Sequence, residues 1–107
     1  MFVFDAHCDT LMDVVAGKRR LAETGKGGHI DIPRLRQGGV GAQVFAAWIE
    51  REFLPGSGAR RACQYIDAFY REVEDNPDDL AFVRSAADLA RAQQEGKIGA
   101  ILAIEGG

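Results

Sequence analysis

Cysteine, excess positive charge and long apolar runs are all scarce in this sequence, and each scarcity removes a class of function. Cys8 and Cys63 are the only cysteines in 107 residues. They form no CxxC pair and no disulfide framework, so the expected setting is reducing and cytoplasmic. Lys and Arg number 13 against 16 Asp and Glu, a formal charge of −3, with a pI near 5.3. An acidic chain without a basic cluster is a poor ligand for nucleic acid or an anionic membrane, and neither is expected as a partner. No apolar run approaches the ~18 residues that span a bilayer. Asp5, His7 and Asp9 interrupt the N-terminus where a signal peptide would be apolar. The glycine-rich stretches "GKGGH" and "PGSGARR" match neither a P-loop nor a dinucleotide fingerprint. Ser57 and Ser85 lack a G-x-S-x-G context, which leaves serine hydrolase chemistry without support. There is no internal repeat, low-complexity tract or interdomain linker.

What remains is a globular composition, 47% hydrophobic, at a length that fits one small domain. The closing run "AILAIEGG" reads as a buried strand entering a loop, so residues 1–107 are expected to be a piece of something larger. Phe2 to His7 form a short β-rich run dense enough in apolar residues for a buried strand. Leu11 to Val15 carry a short helical pattern. Asp31 can cap a helix that has Pro33 in its first turn, where a missing N–H costs little. "VGAQVFAAW" reads as a second buried strand. From Ala59 to Val73, apolar residues recur at three- and four-residue spacing, the pattern of an amphipathic helix. Leu80 to Val83 can form a short extended segment, and Ser85 with Asp88 resembles a helix N-cap with Gly96 as terminator. Ile98 to Ile104 form a third buried strand. Apolar strands separated by amphipathic helices predict a parallel α/β sheet of right-handed βαβ crossovers. That pattern fits a small open sheet and the opening staves of an eight-stranded barrel equally well.

The sharpest chemical feature is "DAHCDT". His7 and Asp9 stand two apart at a strand end and project to one side, an imidazole and a carboxylate suited to a divalent transition metal. Cys8 points the other way and reads as a small core residue, while Asp5 shares the His7 side and can orient a ligand. Glu105 ends an otherwise apolar strand, where burial is costly unless the carboxylate is paired or ligated. Carboxyl ends of parallel strands are where α/β folds build their sites. The plainer reading of each residue is a surface acid or a hydrogen-bonded histidine; three metal-competent side chains on one sheet edge weigh toward a site. His29 reads as a solvent-facing loop residue and Asp31 as a helix cap. Trp48 can line a pocket mouth but reads more simply as core, as do Phe69 and Tyr70. Arg60, Arg61 and Arg71 read as a solvated helix face.

Three segments, "FDAHCDTL", "HIDIPRLRQGGVGAQVFA" and "GKIGAILAIEGG", together resemble the N-terminal part of the membrane dipeptidase (renal dipeptidase) family of zinc peptidases, in the right order and at fitting spacing. The likeness covers essentially the whole chain but only about the first third of a family member. It implies a zinc-dependent dipeptidase on a (β/α)8 TIM barrel, of which this chain supplies the first three βα units. It implies two zinc ions in the whole enzyme, His7 and Asp9 ligating one and Glu105 bridging both, with a metal-bound hydroxide attacking a dipeptide. The further ligands and substrate-binding groups of the family match no residue here, so no residue of this chain is given a catalytic role. A barrel needs roughly 250 residues. The isolated chain is therefore expected to be inactive, to hold at most one zinc weakly, and to form homo-oligomers or be poorly stable. Two other readings stand beside it. One is a different metal-dependent barrel amidohydrolase, against which Asp9 weighs because those show HxH. The other is a non-catalytic α/β interaction module.

Overall fold

The computed structural model describes residues 2–24 and 27–105. In chain order these form β1 (Val3–Cys8), α1 (Leu11–Val15), α2 (Ile32–Gln37), β2 (Val40–Trp48), a 3-10 turn (Arg51–Phe53), α3 (Gly58–Asp75), β3 (Leu80–Phe82), α4 (Ala86–Gln94) and β4 (Ile98–Glu105). The strands make one parallel sheet in the order β1-β2-β4-β3. This is the expected α/β class with one addition. The extended segment near Leu80 is a fourth strand, pairing Leu80, Ala81 and Phe82 with Ile98, Gly99 and Ala100. The turn expected at Gly106 and Gly107 lies outside the described residues.

Local chemistry sets the helix starts. Asp31 Oδ1 accepts the Arg34 N–H at 2.9 Å, with Pro33 in the first turn of α2. Ser85 Oγ accepts the Asp88 N–H at 3.1 Å, and Asp88 Oδ2 accepts the Arg84 N–H at 3.0 Å, a reciprocal cap on α4. Helix α3 buries Tyr65, Phe69 and Glu72 along one face. Phe69 meets Phe45 of β2 and Phe82 of β3, with ring centroids 5.8 and 5.6 Å apart.

The crossovers determine which sheet face each helix covers. From β1 to β2 to β3 the chain steps one way across the sheet, passing the place that β4 later fills, and α1, α2 and α3 pack on one face around Leu11, Leu35, Phe45, Ile98 and Ala100. From β3 to β4 it steps back, so a right-handed crossover sets α4 on the opposite face. Accordingly, a Cβ built on Gly99 would lie 3.0 Å from Leu89 Cδ1 of α4. By strand alternation this second face carries Gly99, Ile101, Ala103 and Glu105 beside Ala42, Val44, Ala46 and Trp48. Helix α4 covers its amino end at Gly99 and leaves its carboxyl end open.

Two expectations are corrected. Phe2 and Phe4, read as parts of a buried strand, are 41% and 49% exposed, because β1 is an edge strand flanked by β2 on one side only. Trp48, read as core, is 39% exposed at the open carboxyl end. Among the described residues no helix is long and apolar enough to cross a membrane.

Buried charge ties the long connection between α1 and α2 into the fold. Asp31 is fully buried and takes Arg19 at 3.3 Å and Arg34 at 2.6 Å. Burial pushes its carboxyl pKa up, but the Arg34 backbone N–H, both guanidiniums and their charges outweigh that and hold it below the ordinary value. Arg19 also donates to the Gly27 carbonyl at 2.8 Å. Glu72 on α3 accepts from Arg20 Nε at 2.7 Å and from the Leu21 N–H at 3.4 Å.

Candidate metal centre

Three elements deliver three side chains to the open carboxyl end of the sheet. β1 brings His7, the turn into α1 brings Asp9, and β4 brings Glu105. His7 Nε2 lies 3.3 Å from Asp9 Oδ2, and His7 Nδ1 lies 3.8 Å from Glu105 Oε2. One nitrogen and two carboxylate oxygens fall within 4.8 Å of one another. β2 separates β1 from β4, so His7 and Glu105 start about 9–10 Å apart and meet above the end of β2. All three side chains are about half exposed.

The backbone beneath the cluster is fixed. Along β1, Asp5 pairs with Gln43 and Cys8 with Phe45, three steps against two, which is a bulge. The bulge breaks strict alternation and re-aims the strand end. Asp5 Oδ1 accepts the His7 backbone N–H at 3.2 Å, so Asp5 positions His7 through its main chain rather than its ring. Cys8 turns into the core as expected, and burial raises its thiol pKa. Past Asp9, Thr10 and Leu11 are buried, and the Asp9 carbonyl accepts the Met12 N–H at 3.1 Å, anchoring the turn.

The donor set suits a divalent cation: one imidazole and two carboxylates, half exposed and within reach of a shared point. Beside it lies a cavity of about 570 Å³ lined by Asp5, His7, Asp9, Asp13, Gly28 and His29. His29 is exposed there, as its loop position suggests, and stands outside the three-residue group.

One charged cluster near the carboxyl end of β2 was not expected from the sequence. Glu50, two residues after Trp48, accepts from Arg61 Nε at 2.9 Å and Nη2 at 3.0 Å, and from the Tyr65 hydroxyl. The Arg61 guanidinium sits 4.6 Å from the Phe53 ring centroid and 5.1 Å from that of Tyr65. Arg61 is therefore no solvated helix-face residue: its side chain is 16% exposed. The Arg61 hydrogen bonds pull the Glu50 carboxyl down, against burial and with help from Tyr65, to a pKa of about 2. Burial and the bond to Glu50 raise the Tyr65 phenol.

Comparison with known proteins adds three findings. The family described as membrane dipeptidase (peptidase family M19) matches residues 1–107. A dipeptidase of Aspergillus terreus, ataJ, is 33% identical over 87 residues, which are 74% of this chain and 21% of that protein. Two solved structures share the fold. One is a dipeptidase AC described as a family M19 metallopeptidase, with TM-score 0.86, 22% identity, and coverage of 99% of this chain and 35% of that one. The other is a metallopeptidase from Rhodobacter sphaeroides liganded with a phosphinate mimic of the dipeptide L-Ala-D-Ala, with TM-score 0.83, 18% identity, and coverage of 99% and 38%. The chain thus spans about a fifth of the curated relative and about a third of the solved structures.

Proposed function

Because the chain belongs to the membrane dipeptidase family, we propose that it carries one half of the metal centre of a zinc-dependent dipeptidase, with His7, Asp9 and Glu105 as its ligands. The observation that carries this reading is the convergence of one ligand atom from each within 4.8 Å at the carboxyl end of a parallel sheet. When bound there, a divalent ion supplies Lewis acidity toward a peptide carbonyl and acidifies a water. The chain's own residues do the rest. The carboxylates of Asp9 and Glu105 offset the cation's charge, and His7 presents a ring nitrogen from a strand whose backbone Asp5 holds. In the whole protein Glu105 would bridge two zinc ions. This chain alone would hold one, weakly.

The substrate class follows by likeness, since the R. sphaeroides relative is described with a dipeptide mimic. We take a dipeptide as the substrate of the whole protein and expect no hydrolysis by the 107-residue chain. Isothermal titration of zinc into this chain is expected to show one weak site. Loss of a direct ligand in His7→Ala or Glu105→Ala should weaken it at least about tenfold, since even outer-shell partners reach that range. Equal zinc affinity in wild type and both variants would sink the ligand assignment. Measurable cleavage of alanyl-alanine by the purified chain would sink the expected inactivity.

A further inference from the structure

Trp48 is the one tryptophan of the sequence, and it ends β2 as the register partner of Glu105. Parallel pairing sets their Cα atoms about one strand spacing, ~4.8 Å, apart with side chains on the same face. A tryptophan has 150–250 Å² to bury, yet this one stays 39% exposed beside a cluster of charged ligands. We propose that Trp48 is the apolar wall of the substrate site, taking up an apolar side chain of the bound dipeptide next to Glu105. This rests on the dipeptidase reading above.

The surroundings suit that role. One step down the same face, Ala46 pairs with Ala103. Both are alanines, so no bulky side chain rises from the row beneath Trp48 and Glu105. Further down, Leu89 of α4 lies against Gly99 at the amino end of this face. The wall is also held in place. Ile49 is buried, and Glu50 is gripped by Arg61 and Tyr65 from α3. Three consecutive residues thus carry an open ring, an anchor in the core and a charged clamp. A site with placed polar groups on one side and a rigid aromatic on the other is the usual build of a small-molecule pocket. The peptide group would meet His7, Asp9 and Glu105 while its side chain lies on the ring.

The test uses the 107-residue chain loaded with zinc, after a zinc titration that stands as its own readout. With no other tryptophan, the emission reports Trp48 directly. Leucyl-leucine is expected to shift that emission to the blue, and glycylglycine to leave it unchanged. By calorimetry, Trp48→Ala should weaken leucyl-leucine at least about tenfold, the scale of an apolar pocket contact. Its zinc and glycylglycine affinities should stay at wild-type values, and Trp48→Phe should restore most of the loss. The inference is overturned if zinc binds but saturating leucyl-leucine leaves the emission unmoved, or if Trp48→Ala binds it as tightly as wild type. Should Trp48→Ala fail to fold, the wild-type emission and Trp48→Phe still decide. Absence of zinc binding would overturn the metal reading itself, and the inference with it, at the first step.

Discussion

Single residues in the loop before α2 carry more of the fold than their exposure suggests. Gly28 has φ +72°, and a Cβ there would come within 1.8 Å of Arg19 Nη1. That guanidinium cannot swing aside without loss, because it is held between Asp31 and the Gly27 carbonyl with its side chain 5% exposed. Gly28→Ala therefore combines left-handed backbone strain with a clash against a buried ion pair. Thermal unfolding should show a loss of about 1–3 kcal/mol, and an unchanged melting temperature would refute the reading. Asp31 was legible as a cap, because capping is local: a side chain three residues before the N–H it accepts. Its second role, neutralising buried Arg19 from 12 residues away, leaves no local trace in the sequence. The same holds for Glu72, whose partner Arg20 is 52 residues distant.

Between elements, the clamp from β2 to α3 makes a pH prediction with a definite sign. The Glu50 carboxyl lies at about 2 in the folded chain against an ordinary value of 4.5. A depressed folded pKa means that the unfolded chain binds the proton first as pH falls. The stabilisation is thus fully present above about 4.5 and is lost between there and about 2. Glu50→Gln should cost about 1–3 kcal/mol at neutral pH, the scale of breaking a largely buried charged hydrogen bond. The gap between wild type and variant should close across that acid window. Circular dichroism during denaturant melts at several pH values would measure it, and a gap that stays constant from pH 5 to 2 would contradict the assignment. Most element boundaries could be read from the sequence, because caps, glycines and periodicity act over three or four residues. "VGAQVFAAW" spans β2 itself, and Leu11–Val15 is α1. The sheet membership of β3 was less legible, since three residues carry too little alternation to separate strand from loop. The candidate ligands were visible as polar residues at strand ends. The bulge that re-aims β1 and the clamp beneath Trp48 depend on register and on partners 11 and 15 residues away, which no local pattern encodes.

At the scale of the whole molecule, the open second face and the two sheet edges set the chain's solution behaviour. Parallel sheets are stable when both faces are covered. Here α4 covers only the amino end of one face, and β1 and β3 are edge strands. Phe4 on β1 is 49% exposed, and Ile104 near the end of β4 is 55% exposed. Unpaired backbone along β1, flanked by exposed aromatic rings, is a template for another copy. We therefore expect the 11.6 kDa chain to self-associate, with its average mass in sedimentation equilibrium rising with concentration. Phe4→Lys places a charge on that edge and removes an exposed apolar ring. Because about half of Phe4 already faces solvent, the change should cost no more than about 1 kcal/mol of folding stability while moving the population toward monomer. A wild-type chain that stays monomeric at every concentration and unfolds cooperatively would show that the exposed face and edges are tolerated. A Phe4→Lys chain that associates as strongly as wild type would move the contact from the β1 edge to the apolar surface near β3 and β4.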